Sequence, residues 1–171
     1  MKISKIEIEN FRLLKEFSID LEDELSLVIG KNNTGKTSLL TILDRFLNES
    51  ERTRFSFDDF NLDFRGTIRT LIQKRKLDEK ITPVGIKLKL YIEYDEKDDL
   101  SNVSKVMMDL DPAINTVVLG FEYSISYKEI LQLKQDFKEF KVKGSSPRKK
   151  DLSHFLKENH PFFLKIHFFF E

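Results

Sequence analysis

Cysteine is absent from the 171 residues, so neither a disulfide framework nor a Cys-ligated zinc ribbon can form. Net charge is absent as well, because Lys and Arg number 29 and so do Asp and Glu. That balance excludes the overall basic character by which many nucleic-acid binders are recognised. Long apolar runs are missing too. The stretch "FFLKIHFFF" near the C-terminus is too short to span a bilayer and contains Lys165. The opening "MKISKIEIEN" alternates charge with isoleucine and carries no signal-peptide apolar region. These absences predict a soluble, cytoplasmic chain that does not engage a membrane. Histidine is scarce, and His154, His160 and His167 lack the spacing of a metal-binding helix, which predicts surface or half-buried positions. No internal repeat is present.

What the chain does have is a core. Hydrophobic residues make up 40% of it, enough for one folded domain or for part of a larger one. Glycine is rare at 6 residues, yet two of them, Gly30 and Gly35, bracket four others, and Lys36 and Thr37 follow directly. "GKNNTGKT" is therefore a G-x-x-x-x-G-K-[ST] phosphate-binding loop. Glycines let the backbone close into a concave nest whose N–H groups converge on one anion. The helix that follows adds its dipole and unpaired N–H groups at the same point. Lys36 supplies positive charge for the terminal phosphates, and the Thr37 hydroxyl is the Mg²⁺ ligand.

Periodicity places the rest. "KISKIEIENF" and "FSIDL" read as two antiparallel strands, and "ELSLVIG" as a third, buried strand feeding the loop. A helix is predicted from about Gly35 to Leu47, with Leu39, Ile42, Leu43, Phe46 and Leu47 at helical spacing. "FSFDDFNLDF" reads as an ordered loop or single turn, and residues 66–80 as helical in part. "GIKLKLYIEYD" alternates cleanly from Ile86 to Tyr94 and is the clearest strand. A surface helix at 95–110, a strand at "INTVVLGFEYSISY" and a helix at "KEILQLKQDFKEF" follow. Residues 142–151, with Gly, Ser, Pro and clustered cations, are the one linker candidate. A short helix and an aromatic strand close the chain. That strand is apolar on both faces, so it is expected inside a larger core or against a second chain.

Taken together, "IEIENFR", "FSIDL" and "LSLVIGKNNTGKTSLL" closely resemble the start of ABC-type ATPase heads. The resemblance is to the RecF and SMC group, and especially to the OLD (overcoming lysogenisation defect) family, to which antiphage ATPases such as Gabija's are related. It is strongest over residues 1–47 and extends to "FSFDDFN" and the strand "IKLKLYIEY". It implies an α/β fold, the N-terminal lobe of an ABC-ATPase-like P-loop NTPase with an antiparallel β layer and flanking helices, spanning 1–171 and incomplete by itself. It also implies ATP and Mg²⁺ as ligands. Arg12 matches a basic residue near the phosphates, and Gly30, Asn32, Asn33, Thr34 and Gly35 match the wrapping loop. Lys36 matches the catalytic lysine, Thr37 the metal ligand and Ser38 a further hydroxyl.

The same resemblance implies partners: a homo-oligomer or second ATPase head, and DNA or a nuclease effector. Hydrolysis in such heads needs a signature motif from the second head and an apolar strand ending in paired acids. The nearest matches are "GSSPRKKDLSHF" and "KIHFFFE", and both are poor. Two functions stay open: an ATPase of antiphage defence or DNA repair, and a nucleotide-binding interaction module without hydrolysis of its own. A GTPase reading rests on "DFRG" at 63–66, but no apolar strand precedes it and N-K-x-D is absent. Finally, residues 61–90 carry 8 basic and 3 acidic residues, and 131–171 carry 9 and 5. The basic stretches at 65–89 and 134–150 are either phosphate-backbone contacts or solvated faces.

Overall fold

Isoleucine alternating with charge becomes strand β1 (Lys2–Phe11), which pairs antiparallel with β2 (Leu14–Asp20) on one side and β3 (Val84–Glu93) on the other. In the computed structural model, which describes residues 1–48, 55–79, 81–95, 97–98, 115–143 and 151–171, the sheet continues through β4 (Thr116–Ile125) to β5 (Lys165–Phe170). Its order is β2-β1-β3-β4-β5, and every pairing is antiparallel.

Register carries one apolar row set across all five strands. Ile19 faces Ile6, which faces Leu90, which faces Leu119, which faces Phe170; Phe17, Ile8, Leu88, Phe121 and Phe168 form the next row. Because strand side chains alternate with period two, the intervening residues form the opposite face. That face carries Lys5, Glu7, Lys87, Lys89 and Glu122, with Lys87–Glu122 at 3.1 Å and Tyr91 Oη donating to Glu7 at 2.8 Å. One face is core and the other is wet, as an antiparallel sheet permits.

Helices cover the apolar face. Helix α1 (Lys36–Leu47) buries Leu39, Ile42 and Phe46, and α2 (Leu62–Gln73) buries Phe64, Ile68 and Leu71. Both show the three-to-four-residue spacing that points one stripe inward. Helix α3 (Tyr127–Lys143) adds Ile130, Leu133 and Phe137, and α4 (Leu152–Phe163) adds Leu152, Phe155, Leu156 and Phe163. Side chains start two of them: Asn61 accepts from Asp63 N at 3.0 Å and Asp151 from Ser153 N at 3.2 Å. "FSFDDF" forms a single 3₁₀ turn at Phe57–Asp59, whose rings join the core; Phe60 stacks on Phe64 at 5.0 Å and Phe55 on Tyr123 at 4.8 Å. The predicted surface helix at 95–110 lies almost wholly outside the described residues, as do residues 144–150 of the linker.

One expectation changes. "ELSLVIG" is not a buried strand: Leu25, Leu27 and Ile29 are 78%, 75% and 80% exposed, and no ladder forms there. Both edges of β1 are taken by β2 and β3, and no described strand pairs with this segment. An apolar run signals that burial is wanted without saying which segment supplies it. The aromatic tail is an edge strand, with Phe168 and Phe170 partly open on the inner face. On the outer face Phe169 lies over Gly120, where an added Cβ would come within 2.2 Å of the ring.

His160 also departs from expectation, being buried at 6% exposure. Its Nδ1 lies 3.0 Å from Leu156 O and its Nε2 2.9 Å from Phe55 O. Whichever nitrogen carries the hydrogen donates to one of these carbonyls, and the ring ties α4 to the segment leading into the 3₁₀ turn. His160→Leu keeps the volume but removes the donor from one buried carbonyl, at a cost of about 1–3 kcal/mol. Urea unfolding followed by circular dichroism should show the lower midpoint with an unchanged slope.

Candidate nucleotide-binding site

The loop from Gly30 to Ser38 leads directly into α1, so the N–H groups of the first helical turn open onto it. Gly35 is the N-cap, at φ 96° and ψ 3°, and Asn33 sits at φ 63°. Two left-handed residues so close together curl the backbone into the concave form that nests use. Gly35 is doubly constrained, since a Cβ there would also fall 2.8 Å from Leu14 Cδ2. Leu14 is buried at the start of β2, so the β1–β2 turn is the wall on which the loop rests.

The resulting concavity holds about 280 Å³ and is lined by Leu13 and by Asn32 through Ser38. Lys36 Nζ donates to Lys31 O at 2.6 Å and also to Gly30 O, which folds its ammonium back over the loop. Thr34 Oγ1 donates to Lys31 O at 2.9 Å and stiffens the same turn. Thr37 is exposed, whereas Ser38 is buried beside the helix start. A helix N-terminus, a curled loop and a folded-back lysine make a site for a compact polyanion. For Mg²⁺ the donor chemistry fits at the exposed Thr37 hydroxyl, a hard oxygen ligand one residue beyond the lysine. Among the described residues no cluster of three His, Asp or Glu side chains offers another metal site.

Arg12 and "FSFDDFN" prove to be one structure. Arg12 N donates to Asp59 O at 2.8 Å, Asn61 N to Asn10 O at 2.8 Å, and Asn61 Nδ2 to Arg12 O at 2.7 Å. Phe11 bridges to Phe60 between them. Asn10 and Arg12 both take left-handed backbone, at φ 61° and 49°, to make this turn. The Arg12 guanidinium reaches Asp59 Oδ1 from Nε at 2.9 Å and Nη2 at 2.8 Å. Asp59 Oδ2 accepts from Ser56 N at 2.9 Å and lies 3.9 Å from Arg45 Nη2. Sequence reasoning singled out both segments but not the ion pair between them, because residues 47 apart give no periodic signal. Burial, with the Asp59 charge beside it, raises the Tyr123 hydroxyl well above the ordinary phenol range.

The other sequence candidates lie elsewhere. "DFRG" is inside helix α2, which rules it out as a switch loop. Glu171 accepts from Lys89 Nζ at 2.6 Å on the outer sheet face, and β5 runs antiparallel to β4 at the sheet edge. Neither arrangement presents an acid to the phosphate loop.

Asp59 is 4% exposed and Arg12 34%, so removing the arginine strands a buried carboxylate. Arg12→Ala should therefore cost about 2–3 kcal/mol, near the lower end for breaking a buried pair. Thermal unfolding checks this, and the double variant Arg12→Ala with Asp59→Ala should regain part of the loss.

The chain is 29% identical over 130 residues to the DNA replication and repair protein RecF of Bacillus thuringiensis (strain Al Hakam), covering 68% of this chain and 33% of that protein. RecF of Bacillus cereus (strain B4264) and of Bacillus anthracis (strain A0248) match to the same extent. The chain thus spans about a third of the length of these curated relatives. No helix among the described residues is long and apolar enough to cross a membrane. The family model described as an AAA ATPase domain matches residues 1–169, and the chain belongs to that ATPase family.

Proposed function

We propose that this chain is the ATP-binding lobe of a DNA-associated ATPase, with ATP and Mg²⁺ held at residues 30–38. The observation that carries the reading is the curled loop ahead of α1, with Lys36 folded over it and Thr37 exposed beside it. Asn32, Asn33, Thr34 and Gly35 wrap the phosphates, and Gly30 begins the loop. Lys36 offsets the charge that develops on the terminal phosphate, Thr37 ligates Mg²⁺ and Ser38 adds a hydroxyl. Bound Mg²⁺ would supply positive charge to offset that of the phosphates. Arg12 lies one residue before Leu13, which lines the concavity, and its partly exposed guanidinium has N–H groups beyond the two given to Asp59. On this reading it steadies the loop wall and offers a donor at its rim.

The exposed Leu25, Leu27 and Ile29 support an incomplete site. Such a segment presents apolar side chains and unpaired backbone groups that a further strand would cover. We assign that cover, together with the acids that orient the attacking water, to chain outside residues 1–171 or to a second head. The likeness of "IEIENFR" and "FSFDDFN" to OLD-type ATPases favours antiphage defence in the cytoplasm, and the RecF relatives favour DNA repair. Phage plaque counts and survival of ultraviolet irradiation in a deletion strain separate the two.

Lys36→Ala should lower ATP affinity about tenfold to a hundredfold, the loss of one charge-assisted contact of about 1.5–3 kcal/mol. Calorimetry reads this directly, and unchanged affinity in a folded variant sinks the assignment. Thr37→Ala should instead flatten the Mg²⁺ dependence of binding. Without an oriented water, the 171-residue chain alone should bind ATP and hydrolyse it negligibly. Steady phosphate release that Lys36→Ala abolishes would refute the incomplete-site reading.

A further inference from the structure

The two basic stretches of the sequence, some 65 residues apart, line a single cleft. It lies between α2, α3 and the start of α4, holds about 390 Å³, and shares no lining residue with the phosphate loop. Arg69 and Gln73 come from α2, Lys134, Lys138 and Lys141 from α3, and Asp151 from the N-cap of α4. Steps of four and three residues put the three lysines on one helix face. Among the described residues Asp151 is the single acid on this lining, and it lies 3.9 Å from Arg69 Nη2 while capping α4. Lys134 donates to Lys74 O at the end of α2, and Lys141 Nζ stands 4.7 Å from the centre of the Phe137 ring. Lys134 thus ties α3 to the end of α2, and the lysine row stands where the two helices meet.

The shape of the charge decides the ligand class. A single phosphate group needs donors that converge on a point, as they do around residues 30–38. Here the cations are strung out: Lys134 to Lys141 spans about 10 Å of helix, at 1.5 Å per residue. A DNA duplex carries one charge per 1.7 Å of axis, both strands counted, so that length of duplex carries about six phosphates, of which those on the near side meet the lysine row. We propose that the cleft between α2 and α3 is a contact site for the phosphate backbone of a nucleic-acid duplex, separate from the nucleotide loop. It rests on the DNA-associated reading above and gives it a location. Lysines of this kind position a duplex without reading its sequence.

The test is duplex binding by the 171-residue chain, followed by fluorescence anisotropy across a KCl series. Replacing Lys134, Lys138 and Lys141 together by Gln should cut affinity at low salt about tenfold or more. It should also make the slope of log K against log salt shallower by about 2–3, near 0.9 per lost phosphate contact. A matched variant of the outer sheet face, Lys5→Gln with Lys87→Gln and Lys89→Gln, should bind duplex like the parent. Both variants should bind ATP normally. Equal duplex binding by parent and cleft variant overturns the site, as does an equal loss in the sheet variant. Displacement of duplex by poly-glutamate at matched charge also overturns it, in favour of an acidic protein ligand. A parent chain that binds ATP but no duplex at low salt removes the DNA-associated reading itself. If the triple variant loses its helical signal, the Lys138→Gln, Lys141→Gln pair, which spares the Lys134 bond, decides through a slope change of about 1–2.

Discussion

One buried carboxylate holds the parts of the candidate nucleotide site in register. Asp59 joins the β1–β2 turn through Arg12, closes its own 3₁₀ turn through Ser56 N, and faces Arg45 on the helix that follows the phosphate loop. A charge this buried is tolerable only with its lone pairs occupied, so its partners are held where they stand. The β1–β2 turn then presents Leu14 to Gly35, and the loop closes against it. The curvature at Asn33 and Gly35 thus depends on a contact made by neither residue.

The sheet supplies the platform. Its apolar face takes all four described helices, and its charged face takes none of them. Because α1 is seated by Leu39, Ile42 and Phe46 on that platform, its first turn and the loop before it have a fixed height above the strands. The 3₁₀ turn and His160 brace the same region from α4. Rigid mounting of this sort lets a phosphate loop act as a preorganised anion site, since little ordering remains to be done on binding. The basic cleft, by contrast, is built on the outer helices, where α2 and α3 meet.

A gradient runs across the molecule. Around Phe46, Phe55, Phe60 and Tyr123 the rings are closely packed and buried. Along residues 25–29 and the edge strand β5 the apolar side chains are open. The nucleotide loop lies between, with one flank on the packed core and the other on the exposed segment.

Local pattern determined much of this from the sequence alone. The glycine spacing and lysine of the loop, the helical stripe of α1 and α3, and the alternation of β1 and β3 are properties of neighbouring residues, and each stands as it was read. The 3₁₀ turn at "FSFDDF" and the edge-to-edge pairing of β1 and β2 were equally legible. Tertiary structure alone decided the rest, because it depends on which distant segments meet. Only the fold brings Asp59 to Arg12 across 47 residues, buries His160 against Phe55, and unites two basic stretches on one cleft. It also leaves "ELSLVIG" unpaired, since pairing depends on where distant segments come to lie, and that is not written in the strand's own residues.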